Sequence, residues 1–170
     1  MIERLLSIFQ RPKERSLKPT IIWAKIPNAR HETVTCSNAL FYNDLRISSH
    51  CITKLGVNEV FVFGSNISGI HDGGASEMAA ERFGAIIGQA EGPQGSSYAI
   101  PTDGCSLAEI QKAVNRFILY AKAHPNIRFL VTEIGCGTAG FHPMEIAPLF
   151  KDACSIHNIY LPKQFWKHIK

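Results

Sequence analysis

With 170 residues, 45% of them hydrophobic, the chain is long enough for one domain with a sizeable core, and it has no apolar run of the ~20 residues that span a bilayer. The formal charge of +4 lies mostly near the two ends, which favours solvated termini over a nucleic-acid surface without excluding one. The five cysteines form no CxxC pair and are odd in number, so we expect reduced thiols in a cytoplasmic protein and no metal site. No cofactor is expected either.

The start of the chain, residues 1–18, predicts a basic arm or surface helix, and residues 19–170 predict a single domain. The opening stretch, MIERLLSIFQRPKER, lacks the apolar core and the small-residue cleavage site of a secretory signal. Residues 20–26, TIIWAKI, predict a first strand that Pro27 closes. Residues 44–55 are ambiguous between helix and loop.

The next stretch combines a strand, a glycine turn and a helix. Residues 60–66, VFVFGSN, are rich in β-branched and aromatic residues, as buried strands are. The turn ends in Gly73 and Gly74, and apolar spacing predicts a helix over residues 75–87, which Gly84 could end early.

A polar, glycine-rich loop over residues 88–97 leads into a short strand, SYAIPT. The most regular helix follows over residues 107–124, where apolar residues recur every three or four positions. Ser106 can cap this helix, Glu109 stands at the capping-box position, and Pro125 ends it.

The same order of strand, glycine loop and helix then recurs. Residues 129–134, FLVTEI, predict a strand that runs into the loop GCGTAG, and a helix is expected from Pro143 to about Cys154. A closing strand is predicted at residues 158–161. Strands that alternate with helices predict a three-layer α/β/α fold around a mainly parallel mixed sheet. Ligands of such sheets bind at the carboxyl ends of the strands, where both glycine loops fall.

Two glycine loops at equivalent positions favour a ligand with two phosphates. Glycine lets backbone N–H groups approach an anion closely, and a following helix offers its unpaired donors and positive dipole end. Asn66 and Thr138 can add side-chain hydrogen bonds.

Other classes of protein use similar glycine patterns. GCGTAG matches the dinucleotide pattern G-x-G-x-x-G after a strand, as in Rossmann-type NAD(P) oxidoreductases. Little chain remains downstream for such a fold, however, and no acidic residue near Ile159 is available for a ribose. Neither loop ends in Gly-Lys-Ser/Thr, which argues against a P-loop kinase or ATPase. The glycines could also serve turn geometry alone.

Together, residues 60–84 and 97–141 resemble the macrodomain family, and within it a divergent, macrodomain-like group. The family has an apolar strand that ends in asparagine, then a glycine-rich turn and a helix, which FVFGSN and DGGAS match. A second apolar strand runs into a Gly-x-Gly-x-x-Gly-aromatic loop, which IGCGTAGF matches. The resemblance implies a macrodomain-like fold that binds ADP-ribose and, in many members, hydrolyses ADP-ribose derivatives.

The resemblance also implies a role for each matched position. Asn66 would hydrogen-bond the distal ribose, and Phe141 would pack near it. Backbone N–H groups of the turn would approach the α-phosphate side of the pyrophosphate, namely those of Gly73, Gly74 and Ala75. The second loop would wrap the other side of the pyrophosphate with Gly135, Cys136, Gly137, Thr138, Ala139 and Gly140.

Catalysis is less clearly specified by the resemblance. One class of hydrolytic macrodomains has an aspartate just after the glycine turn, where this chain has Ser76. Asp72 or His71 could act as the base instead, with Asn66 orienting the ribose. The non-catalytic alternatives are helix capping for Asp72 and a solvated loop position for His71. The acid with which family members read adenine is matched weakly, by Asp44.

Cys136 suggests a rival mechanism. A thiol in a loop at a helix N-terminus could have a lowered pKa and act as a nucleophile activated by His71 or His142. Its small size alone could also explain its place in the loop. Glu133, next to the loop, is interpreted as a structural acid rather than a catalytic one.

We therefore predict a protein that binds ADP-ribose or a related nucleoside diphosphate sugar, free or attached to a macromolecule. Hydrolysis at the distal ribose is a hypothesis, as an ADP-ribosyl hydrolase or an ADP-ribose 1″-phosphate phosphatase. The alternatives are a non-catalytic ADP-ribose reader and, with less support, a Rossmann-type oxidoreductase. No membrane partner is expected.

Overall fold

A computed structural model describes residues 45–169, which form an α/β fold around one mixed, mostly parallel sheet of six strands. The strands, in chain order, are β1 (Ile47–Ser48), β2 (Glu59–Asn66), β3 (Gly92–Gln94), β4 (Ser97–Asp103), β5 (Arg128–Val131) and β6 (Ile159–Pro162). They lie side by side in the order β1-β6-β5-β2-β4-β3, and every neighbouring pair is parallel except β3 and β4. The helices are α1 (Gly74–Arg82), α2 (Leu107–Ala123), α3 (Pro143–Ile146) and α4 (Lys163–Trp166), with a 3₁₀ helix (Ala147–Ser155) after α3.

Helices cover both faces of this sheet. Along β2, Val62 points to one face and Phe61 and Phe63 point to the other, because successive residues of a strand alternate. The Val62 face packs against α2, the 3₁₀ helix and α4, with Phe117 among its fully buried side chains. The Phe61 and Phe63 face packs against α1 around Ala79. Burial on both faces explains why β2 is a nearly continuous apolar run in the sequence.

The longest helix, α2, confirms its sequence prediction at both ends. The Ser106 side chain accepts a hydrogen bond from the Glu109 N–H, and the Glu109 carboxylate accepts one from the Ser106 N–H at 2.8 Å. This capping box fixes the first turn, and the helix ends at Ala123, just before Pro125.

Two elements near the first glycine turn differ from the predictions. Helix α1 ends at Arg82 instead of residue 87, because Gly84 adopts a left-handed φ of 74° that leaves the helix. Residues 92–94, predicted as loop, form strand β3 antiparallel to β4. The buried Gln94 side chain accepts from the Ile86 N–H and donates to the Gln89 carbonyl, which ties this hairpin to the segment that follows α1.

The last predicted helix is divided in the structure. It begins at Pro143 as α-helix but continues as 3₁₀ helix from Ala147 to Ser155. Pro148 has no N–H to donate to the carbonyl four residues earlier, so the α-helical ladder cannot pass through it. Strand β5 also ends earlier than predicted, at Val131 instead of Ile134, because residues 132–134 already belong to the loop region.

Some predictions lie outside the described residues, namely the basic N-terminal segment, the strand at residues 20–26 and the position of Asp44. Within residues 45–169, no helix combines the length and the apolar character needed to cross a membrane.

Candidate functional site

A cavity of about 460 Å³ lies at the carboxyl ends of β2, β4 and β5. The two glycine segments predicted from the sequence both line it, although they are far apart in the chain. Predicted site residues that line the cavity are Asn66, Asp72, Gly73, Gly74, Ala75, Gly135, Gly137, Thr138 and Ala139. His71, Cys136, Gly140 and Phe141 are not among the lining residues.

The floor of the cavity depends on Gly64. A Cβ atom at this position would stand 2.8 Å from Thr102 Oγ1 and 3.3 Å from the Gly135 backbone nitrogen. Any residue larger than glycine at position 64 would therefore push the second glycine loop away from β4.

Asn66, at the end of β2, shapes the segment that follows it. Its Oδ1 atom accepts hydrogen bonds from the Ser68 N–H at 3.0 Å and from the Ile70 N–H at 2.8 Å. With this oxygen engaged, the Nδ2 amide is the part of the side chain left to bind a ligand, as a donor. The sequence predicts a ligand role for Asn66 but does not reveal this structural one.

The glycine turn leads directly into α1. Gly74 has a left-handed φ of 59°, which a glycine adopts without strain. No side chain among residues 45–169 caps α1, so within this part of the chain its first N–H groups have no capping acceptor, at a point where Gly74 and Ala75 line the cavity. Asp72 is exposed and does not cap the helix, whereas the buried Ser76 donates its hydroxyl to the Gly73 carbonyl at 2.8 Å.

The second glycine loop divides its amides into two sets. The N–H groups of Cys136, Gly140 and Phe141 donate to carbonyls of the loop region itself, at 3.2, 2.9 and 3.0 Å. Four other amides donate no hydrogen bond within residues 45–169, and all four residues line the cavity: Gly135, Gly137, Thr138 and Ala139. The loop thus holds its shape with one set, and the other set makes no hydrogen bond within residues 45–169.

The helix after this loop contributes no free donors of this kind. The His142 side chain accepts a hydrogen bond from the Met144 N–H, and Glu145 accepts one from the His142 N–H at 2.8 Å. The sequence predicts a helix N-terminus at both loops. In the structure a side chain caps the N-terminus of α3, whereas no side chain among the described residues caps that of α1.

The thiol mechanism is not supported by the surroundings of Cys136. Burial, with further contributions from Glu133 and Glu145, raises the pKa of the Cys136 thiol to about 11, whereas a nucleophile needs a lowered pKa. The two proposed activating histidines are also engaged or enclosed. His142 caps α3, and His71 is buried edge-on against Phe63, at 5.2 Å between ring centroids.

His71 is therefore not the solvated loop residue that the sequence suggests. The residue is 6% exposed, and neither ring nitrogen has a hydrogen-bond partner among the described residues. Since His71 does not line the cavity, Asp72 is the better placed of the two predicted bases.

Carboxylates, and no lysine or arginine, are found among the described residues that line the cavity. Besides Asp72, they are Asp103 at the end of β4 and Glu133 beside the second loop. Glu133 lies 3.8 Å from His50 Nδ1 and is shared with a second cavity of about 390 Å³ at the ends of β1 and β6. The sequence analysis missed Asp103, because only the pairing of β2 with β4 brings it opposite Asn66.

Comparisons of the chain with models of protein families, with curated proteins and with solved structures found no match. Within residues 45–169, no group of three or more histidine, cysteine, aspartate or glutamate side chains is arranged to hold a metal ion. The function is therefore inferred from the cavity and its donors.

Proposed function

We propose that this chain is a macrodomain-like protein that binds ADP-ribose, or a closely related nucleoside diphosphate sugar, in the cavity above the sheet. The observation that carries the proposal is a set of cavity-lining residues whose backbone amides donate no hydrogen bond within residues 45–169. Four belong to the second glycine loop, and the uncapped N-terminus of α1 lies in the wall of the same cavity. Backbone donors and a helix N-terminus are a common way to bind phosphate groups.

The size and polarity of the cavity support a ligand of this class. Its volume of about 460 Å³ falls within the range of roughly 300–1,000 Å³ typical of small-molecule sites. Because lysine and arginine are absent from the described lining residues, a bound pyrophosphate would depend on fixed backbone dipoles rather than on mobile cations. Such donors need no ordering of long side chains when the ligand binds.

Two parts of ADP-ribose have proposed partners. The pyrophosphate lies between the turn at Gly73 and Gly74 and the amides of Gly137 and Thr138. The distal ribose lies at the end of β2, where the Nδ2 amide of Asn66 donates to a hydroxyl. Phe141 and Cys136 support the loop without touching the ligand, which modifies the roles that the resemblance implied.

Direct binding tests this proposal. In isothermal titration calorimetry, ADP-ribose should bind with a Kd in the micromolar range, about 8 kcal/mol, and clearly more tightly than AMP. Gly137→Val should remove this binding. Gly137 has no left-handed φ, and apart from its chain neighbours a Cβ added to it would meet no atom of residues 45–169 within 4 Å, so the new side chain fits the described fold and occupies ligand space. Ala123→Val, at the exposed end of α2, is the matched control and should bind normally. Wild-type protein that gives no heat with ADP-ribose would contradict the proposal.

Hydrolysis at the distal ribose is the second candidate, and one observation favours it: Asp72 is exposed and lines the cavity beside the glycine turn. An aspartate there can activate a water molecule for attack. Ser76 favours a protein that only reads ADP-ribose, since its hydroxyl is committed to the Gly73 carbonyl and a reader needs no base. Release of ADP-ribose from a modified protein at the buffer rate would establish the reader, whereas turnover that Asp72→Asn abolishes without loss of affinity would establish the enzyme.

A further inference from the structure

The end of the cavity near Asn66 carries negative charge that the described part of the chain does not neutralise. Asp103 is the last residue of β4, is half-buried, and is the register partner of Asn66 across the β2 and β4 pair. Its backbone carbonyl accepts the Ile67 N–H at 3.2 Å. Its carboxylate has no hydrogen bond or ion pair with any residue from 45 to 169, and the same is true of Asp72.

This placement matters for the group that the distal ribose carries. If ADP-ribose binds as proposed above, its distal ribose lies at Asn66, and a substituent on C1″ would lie near Asp103, the register partner of Asn66, in a cavity that Asp72 also lines. A phosphate at this point would meet two like charges, whereas a cation would gain an attraction that half-burial strengthens relative to open water. The third acid of the cavity, Glu133, differs because it lies close to His50.

We propose that Asp103, supported by Asp72, makes the cavity selective for ligands whose distal ribose carries a cationic nitrogen substituent at C1″. The inference rests on the proposed function and specifies its substrate class. An N-glycosidic guanidinium, as on an ADP-ribosylated arginine, and the pyridinium of NAD⁺ share this chemistry. It disfavours ADP-ribose 1″-phosphate, one of the substrates that the sequence suggested.

NAD⁺ and NADH form a matched pair of probes, because they have nearly the same shape and differ by the charge on the nicotinamide ring. Calorimetry should show that wild-type protein binds NAD⁺ about tenfold more tightly than NADH, equivalent to about 1.4 kcal/mol. Asp103→Asn should bring this ratio close to one and should strengthen the binding of ADP-ribose 1″-phosphate several-fold. Asp152→Asn, an exposed acid on the 3₁₀ helix, is the matched control and should leave the ratio unchanged.

A second pair of probes tests a protein-borne ligand. A peptide ADP-ribosylated on arginine has a cationic linkage and one ADP-ribosylated on glutamate has an uncharged linkage, so this pair repeats the comparison. The pair with the larger affinity ratio, nucleotides or peptides, identifies the source of the cation. Equal affinities within both pairs, from protein that binds ADP-ribose, would overturn the selectivity and leave the ADP-ribose site intact. Protein that binds none of these ligands would overturn the site as well.

Discussion

Gly135 and Gly137 belong to the same loop, but the structure predicts very different effects for the same substitution. Gly135 has a left-handed φ of 71°, and a Cβ on it would stand 3.1 Å from Ile146 Cδ1. The left-handed backbone costs an alanine about 1–2 kcal/mol. Crowding against the flexible end of Ile146 adds on the order of 1 kcal/mol.

Gly135→Ala should therefore lower the free energy of unfolding by about 2–3 kcal/mol. Gly137→Ala should leave it unchanged or raise it by up to about 1 kcal/mol, because Gly137 has open space around it within the described part of the chain and an alanine restricts the unfolded chain.

Urea unfolding followed by circular dichroism measures both variants against wild-type protein. The midpoint should fall for Gly135→Ala and stay or rise for Gly137→Ala, with equal slopes. Equal midpoints for the two variants would refute the described backbone of the loop, and with it the division of the loop amides into structural and free sets.

Three further predictions follow from individual contacts. Ser106→Ala removes the capping box with Glu109 and should cost about 1 kcal/mol of stability in urea unfolding, while Ser106→Asp should keep most of it. Asn66→Asp keeps the oxygen that orders the segment after β2 but loses the Nδ2 donor. The thermal unfolding temperature should therefore change little, while calorimetry should show weaker ADP-ribose binding. A loss of thermal stability in parallel with the loss of affinity would count against a ligand contact. Cys136 should react slowly with iodoacetamide at pH 8, where a thiol of pKa about 11 is about one-thousandth thiolate, and it should react faster as the pH rises. Because the folded state holds this proton more tightly than the unfolded state, the free energy of unfolding should decline as the pH rises above the ordinary thiol pKa of 9.0.

Features decided by neighbouring residues are predictable from the sequence. The capping of α2 by Ser106 and Glu109 depends on residues within one helical turn. The apolar spacing of α2 depends on contacts along one face of the same helix. The strands at Val62 and Phe129 are recognisable because burial on both faces requires continuous apolar sequence. The cavity between two glycine segments follows from the rule that ligands bind at the carboxyl ends of parallel strands.

Features decided by distant residues are not predictable in the same way. Strand β3 has the sequence GPQ, which has no strand pattern and pairs only because β4 offers it an edge. In the sequence, Asp103 is indistinguishable from an ordinary turn residue. Only the pairing of β2 with β4 in the structure places it opposite Asn66. The resemblance implies that every residue from Gly135 to Gly140 wraps the pyrophosphate, but the Cys136 and Gly140 N–H groups donate to carbonyls of the loop region instead.

The central claim is that free backbone amides on both sides of one cavity hold a pyrophosphate. Amide chemical shifts of ¹⁵N-labelled protein, recorded while ADP-ribose is added, test it at each donor. The largest changes should fall on Gly74, Ala75, Gly137, Thr138 and Ala139, and the amides of Gly140 and Phe141, which are bonded within the loop, should move less. Large shifts confined to residues outside the cavity, or no shifts at saturating ADP-ribose, would contradict the account.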